Sequence, residues 1–130
     1  MATDNLDRMF RAFADRTRLR LLNLLREGEI CVGDLVSIID APQPTISRHL
    51  AYLRRAGLVE VEREGNWCFY HLARPSGAFH DRLLDCLACC LAEAPQLRQD
   101  ARKLARLRKK GGCCSRVSVG ETTRKATCCR

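Results

Sequence analysis

A mainly helical α+β fold with a single β-hairpin is predicted by three features of this 130-residue chain. Apolar residues recur at helical spacing through residues 5–55 and again after residue 77, one short run alternates apolar and polar residues as a half-buried strand does, and a Gly-Asn pair separates it from a second β-rich run. The length suits one small domain with a tail. The opening residues, Met1 to Phe10, are charged throughout, and no stretch approaches the ~18 apolar residues of a membrane span, so a cytoplasmic protein with no membrane partner is expected.

Met9, Phe10 and Phe13, then Leu19, Leu21, Leu22, Leu24 and Leu25, predict helices over 5–14 and 16–26, with Asp15 or Thr17 capping the second. Gly28 ends it. Residues 32–39 read as a short third helix with Leu35, Val36 and Ile39 inward, stopped by Asp40-Ala41-Pro42. A fourth helix runs from Pro44 to Arg55, because proline is tolerated in a first turn whose N–H groups have no helical partner. At about 100° per residue, Ile46, Leu50 and Leu53 share its inner face while Ser47, Arg48, Ala51 and Arg55 point away. Residues 58–63 and 67–72 form the hairpin around Gly65-Asn66. A fifth helix follows to Glu93, then a basic helical stretch from Pro95 to Gly111-Gly112, and a tail from Cys113.

The net charge of +8 is not spread evenly. Residues 1–94 hold 12 Lys/Arg against 13 Asp/Glu, and residues 95–130 hold 11 against 2. The chain therefore divides into a body, 1–94, and a basic, cysteine-rich extension, 95–130. Bulk charge says nothing of the body's partners, so local placement must decide. No carboxylate occurs between Ala41 and Val59, which frees the outer face of the fourth helix from repulsion by phosphate. Two helices joined by a tight turn, the second polar and cationic outside and followed by a hairpin, constitute a winged helix-turn-helix, whose second helix enters the major groove. Gln43, Thr45, Ser47, Arg48 and His49 are the candidate contacts to double-stranded operator DNA. No nucleophile-base pair, phosphate-cradling loop or paired carboxylates are present, so an enzyme is not expected.

Four motifs in order carry a family resemblance: residues 13–22 (Phe-Ala-Asp-Arg-Thr-Arg-Leu-Arg-Leu-Leu), 29–35 (Glu-Ile-Cys-Val-Gly-Asp-Leu), 43–50 (Gln-Pro-Thr-Ile-Ser-Arg-His-Leu) and 55–59 (Arg-Ala-Gly-Leu-Val). With the hairpin they resemble, over residues 5–94, the metalloregulatory repressors of the ArsR/SmtB family, including those of arsenical resistance. The resemblance implies a homodimer built by the first and last body helices, the last being the dimerising C-terminal helix, which leaves its operator when a metal or metalloid binds. Arsenite sensors of the best-known type carry Cys-Val-Cys at the start of the third helix, where this chain has Cys31-Val32-Gly33. Zinc sensors place Asp and His pairs on the fifth helix, which here offers His80, Asp81 and Asp85 without a second histidine.

The sensor chemistry therefore falls to other cysteines. Six of the nine are adjacent pairs, Cys89-Cys90, Cys113-Cys114 and Cys128-Cys129, too close in sequence for an unstrained disulfide with each other. Thiolates are the soft donors that As(III) and Sb(III) prefer. Cys113 and Cys114 lie among Lys109, Lys110 and Arg116, whose charge favours thiolate, behind a Gly111-Gly112 hinge. They are the expected inducer pair, with Cys89 or Cys90 as the third ligand. Cys86, Cys89 and Cys90 span about 100° of helix and could meet at one ion, although Cys86 and Cys90 also read as small core hydrophobes. Cys31 and Cys68 read as core. Two alternatives remain open: a thiol redox sensor on the same fold, and a metal-sequestering or RNA-binding module in which the basic Cys-rich tail does the main work.

Overall fold

The structure, a computed structural model, describes residues 2–111. Its elements are α1 (Ala2–Phe13), α2 (Arg16–Leu25), β1 (Ile30–Cys31), α3 (Val32–Ile39), α4 (Gln43–Arg55), β2 (Val59–Glu64), β3 (Trp67–Leu72), α5 (Ala78–Glu93) and α6 (Pro95–Lys109). Among the described residues no helix is long and apolar enough to cross a membrane.

Asp15 separates the first two helices. Its side chain accepts from the Arg18 backbone N–H at 3.0 Å, satisfying one donor that the first turn of α2 leaves open. Burial pushes the Asp15 pKa up, but the hydrogen bond from Arg18 N–H and the charges of Arg18 and His49 outweigh it, leaving the carboxyl below its ordinary value. The helix-turn-helix pair is α3 and α4. Asp40 closes α3 in the left-handed conformation, φ 60°, with its N–H donating to Val36 O at 2.9 Å. A short polar side chain tolerates that region better than a branched one. Pro42 then enters α4, which begins at Gln43 with Pro44 in its first turn.

The expected two-stranded wing is present, and a third strand joins it. β1 pairs antiparallel with β3 (Ile30 opposite Tyr70, Cys31 opposite Phe69), giving the order β1-β3-β2. Two residues are too few for alternation to reveal a strand, and Cys31 is also the residue before α3. The wing closes at Gly65, φ 61°, with Glu64 opposite Trp67.

Leu21, Leu22, Leu24 and Leu25 of α2, Leu35 and Ile38 of α3, Ile46, Leu50 and Leu53 of α4, and Leu58 form one core with Leu87 of α5 and Leu104 of α6. Ile38 rather than Val36 fills the inward position of α3; Val36 is half-buried. Helix α6, assigned from sequence to the basic extension, packs on α2, α3 and α5. Leu97 and Leu104 are buried on its inner side with Asp100 between them, fully buried. Asp100 receives both prongs of Arg20, Nε at 2.8 Å and Nη2 at 3.0 Å, and the Gln96 amide at 3.1 Å. Arg20 Nη2 also reaches Ile39 O at 3.5 Å, and Lys103 Nζ donates to Ile38 O at 3.4 Å. The last carbonyls of α3, immediately before the turn into α4, are thus held from α2 at Ile39 and from α6 at Ile38. At the other end, Arg108 donates to Glu27 O at 3.0 Å and Glu29 O at 3.4 Å, bracketing Gly28, whose φ of 126° suits a residue without Cβ.

His80 is buried near the start of α5. Its Nδ1 accepts from Ser76 N–H at 3.1 Å, a bond that only the neutral ring can accept, and among the described residues its Nε2 finds no acceptor. Burial lowers its pKa below 6.5, against the opposing pull of Asp81. The folded pKa lies below the unfolded one, so this stabilisation is complete above about pH 6.5 and is lost as pH falls further. In urea titrations between pH 7.5 and 5, a His80→Asn variant, whose amide oxygen can accept the same bond, is expected to lose less stability than the parent. Parallel curves would remove His80 from the account.

Candidate nucleic-acid interface

The inner face of α4, Ile46, Leu50 and Leu53, is fully buried, and this fixes what the helix shows to solvent. Arg48 and Arg55, seven residues apart, fall within about 20° of each other on the opposite side. Both are exposed, with Gln43, Thr45, Ser47 and Ala51 half-buried around them. Gln43, Thr45, Ser47 and Arg48 therefore lie on the N-terminal half of one helix, where amide, hydroxyl and guanidinium groups match the hydrogen-bonding edges of base pairs.

His49 sits on the flank, against the α1–α2 corner. Arg18 Nη1 donates toward its Nδ1 at 3.4 Å, and Asp15 Oδ1 lies 3.9 Å from the same nitrogen. Arg18 is the centre of this corner. It donates through Nε to Ala12 O at 3.0 Å and through Nη2 to Arg11 O at 2.8 Å, capping α1, while its guanidinium lies 4.2 Å over the Tyr52 ring. The corner sets the seat of α4. In the sequence Arg18 stands out only as part of a motif; nothing in its spacing announces that it ties three helices together.

The wing is acidic along β2, with Glu60, Glu62 and Glu64 exposed beside Arg63. Three carboxylates against one guanidinium repel phosphate, so the favourable surface for a polyanion lies on α4 and on the α1 side of it.

Of the cysteines, Cys31 and Cys68 are buried in the core as expected. Cys86 and Cys89 are exposed thiols on α5 and Cys90 is half-buried. The reading of Cys86 as a core hydrophobe is corrected: Leu87, one residue on, takes the inward position. Nor do Cys86, Cys89 and Cys90 meet at one point. Among the described residues no three His, Cys, Asp or Glu side chains are grouped to hold a metal. Cys113, Cys114, Cys128 and Cys129 lie outside the described residues. Helices α1 and α5 share an apolar surface: Leu6 and Phe10 are exposed, and the Phe10 ring meets Phe79 edge-on at 5.2 Å.

Comparisons with known proteins agree with this geometry. Residues 15–61 match the family described as bacterial regulatory protein, arsR family. The chain is 40% identical over 99 residues to the arsenical resistance operon repressor of Escherichia coli, covering 75% of this chain and 83% of that protein. Among solved structures it is similar to the homodimeric winged helix-turn-helix DNA-binding domain of a Mycobacterium bovis protein, with TM-score 0.60, 30% identity, and coverage of 71% of this chain and 82% of the other. It is also similar to HlyU of Vibrio cholerae, with TM-score 0.58, 31% identity, and coverage of 66% and 90%.

Proposed function

Because this chain belongs to the ArsR family of bacterial transcriptional regulators, which are DNA-binding proteins and not enzymes, we propose that it represses transcription as a homodimer released from operator DNA by As(III) or Sb(III). The observation that carries the DNA reading is the outer face of α4, cationic, carboxylate-free and rigidly seated by the buried leucines behind it. Gln43, Thr45, Ser47 and Arg48 contact base edges, and His49 approaches from the flank. Arg48→Ala tests this on a duplex recovered by in vitro selection against the parent protein. Affinity is expected to fall by about 1–3 kcal/mol, roughly 5- to 150-fold, with the fold unchanged. Equal affinity would remove Arg48 from the interface.

The dimer reading is supported by the exposed Leu6 and Phe10 beside Phe79, and by the homodimeric state of the Mycobacterium bovis domain. Two copies related by a two-fold axis address half-sites one helical turn, or a multiple of it, apart. Sedimentation is expected to give a dimer at micromolar concentration, and Phe10→Glu to shift it toward monomer. A parent chain that is monomeric while binding a single half-site tightly would contradict the arrangement.

The inducer reading is supported by the arsenical-resistance relative and by the donor chemistry. Cys113 and Cys114 supply two thiolates and Cys89 or Cys90 the third. Helix α6 carries the chain about 21 Å from Pro95 to Lys109, so the pair reaches the α5 thiols of its own subunit only by turning back along α6. The partner's α5 is the other source. A thiol redox sensor would instead release DNA on peroxide treatment and recover it with a reductant.

A further inference from the structure

The recognition helix has unlike neighbours on its two sides. Toward the wing, an open cleft is lined by Ala51, Arg54, Arg55, Val59, Glu60 and Val61, two guanidinium groups with one carboxylate of the acidic strand β2. Toward α1, an open cleft of about 520 Å³ is lined by Asp7, Arg8, Arg11, Tyr52 and Arg55, three guanidinium groups with one carboxylate. Arg55 belongs to both clefts, and it lies on the same outward line as Arg48, two turns further along α4.

From this placement we infer that Arg8, Arg11 and Arg55 form a clamp for a backbone phosphate of the DNA that α4 reads. The inference rests on that reading and extends it to α1. Guanidinium groups suit the ligand because their planar forks donate to two phosphate oxygens at once. The clamp is also built in advance. Arg8 Nη1 lies 3.5 Å from Arg55 O, so α1 touches the last turn of α4 directly, and the Arg18 side chain fixes the end of α1 through Arg11 O and Ala12 O while covering the Tyr52 ring. The stretch of α1 that carries Arg8 and Arg11 is thereby fixed beside Arg55. A phosphate anchor of this kind sets register and affinity but reads no sequence. It compensates for a wing whose charge opposes phosphate.

The test uses the full-length reduced protein, the selected duplex and a scrambled duplex of equal length, with affinities measured from about 50 to 200 mM salt. Removing one phosphate neutralisation flattens the plot of log affinity against log salt by about 0.9. With one clamp in each subunit, Arg8→Gln with Arg11→Gln is expected to flatten it by about 1.8, so the fall in affinity across that salt range becomes roughly tenfold smaller than in the parent. Both duplexes should weaken in parallel, leaving their ratio unchanged. Arg8→Lys with Arg11→Lys retains the charges and is expected to retain the slope, which a purely structural role would not do. Arg11→Gln alone leaves the Arg8 bond to α4 intact and should show half the effect. An unchanged slope in the double glutamine variant overturns the clamp, whether the cleft then holds an acidic protein, a small oxyanion or nothing. If Arg48→Ala still weakens binding in that case, the α4 reading survives without the clamp; if neither variant alters binding, both fall.

Discussion

Replacing Arg20 with methionine is expected to destabilise the folded chain by about 3–5 kcal/mol, because it strands the fully buried Asp100 carboxylate with, among the described residues, the Gln96 amide as its remaining side-chain partner. Methionine keeps much of the aliphatic stem, so reduced packing contributes little. Asp100→Asn should cost less, since it removes the charge together with the need for its partner. The double change Arg20→Met with Asp100→Leu should recover most of the loss, as apolar replacements of buried ion pairs commonly do. Urea denaturation at one fixed protein concentration measures all three, the concentration mattering because dimerisation adds to apparent stability. A loss below about 1 kcal/mol for Arg20→Met would mean that the bond between α2 and α6 behaves like a surface pair. The consequence reaches the interface, because Arg20 and Lys103 also hold the carbonyls that end α3, one turn ahead of α4.

The larger functional effect is expected from Cys113→Ser combined with Cys114→Ser. Operator affinity should stay within about twofold of the parent, while release by As(III) or Sb(III) disappears. Taking a regulator from 99% bound to 99% free requires an inducer to favour the free form by about 10⁴-fold, or ~5.5 kcal/mol. A ligand that binds both forms equally shifts nothing, so the thiols must be arranged differently on and off DNA. Cys31→Ala is expected to leave release intact, its side chain being 2% exposed and packed in the core. If the double variant still dissociates at the parent's metalloid concentration while Cys89→Ser or Cys90→Ser does not, the site lies on α5 and the tail pair is not part of it.

The recognition helix, its turn and the wing were legible because each leaves a local trace: a 3.6-residue period, a proline in a first turn, a Gly-Asn tip. The cap of α2 was legible as Asp15 or Thr17, and the structure selects Asp15. What escaped was long-range. β1 is two residues long and owes its existence to β3, forty residues away. The seat of α4 depends on Arg18 meeting Tyr52 and His49, and the position of α6 depends on Arg20 meeting Asp100, eighty residues on. One signal for the latter was available. Asp100 is the lone carboxylate of a basic helix and falls on its apolar stripe between Leu97 and Leu104, where an acid is costly unless paired. Charge counted by segment hid it, since the excess of lysine and arginine in residues 95–130 grouped this helix with the tail as a basic extension. The exposure of Cys86 was ambiguous for a different reason: a thiol beside an apolar stripe fits either side of it, and only the packing of Leu87 decides.

The account's central claim, a metalloid-released DNA-binding regulator, is tested most directly by fluorescence anisotropy of the selected duplex with the fully reduced parent protein titrated by As(III), Sb(III), Cd(II) and Zn(II), with a parallel peroxide arm. As(III) and Sb(III) are expected to release the duplex and a competing dithiol to restore binding. A duplex that stays bound through saturating As(III) and Sb(III), yet leaves on peroxide and returns with reductant, would contradict the metalloid reading and give the thiols to redox sensing.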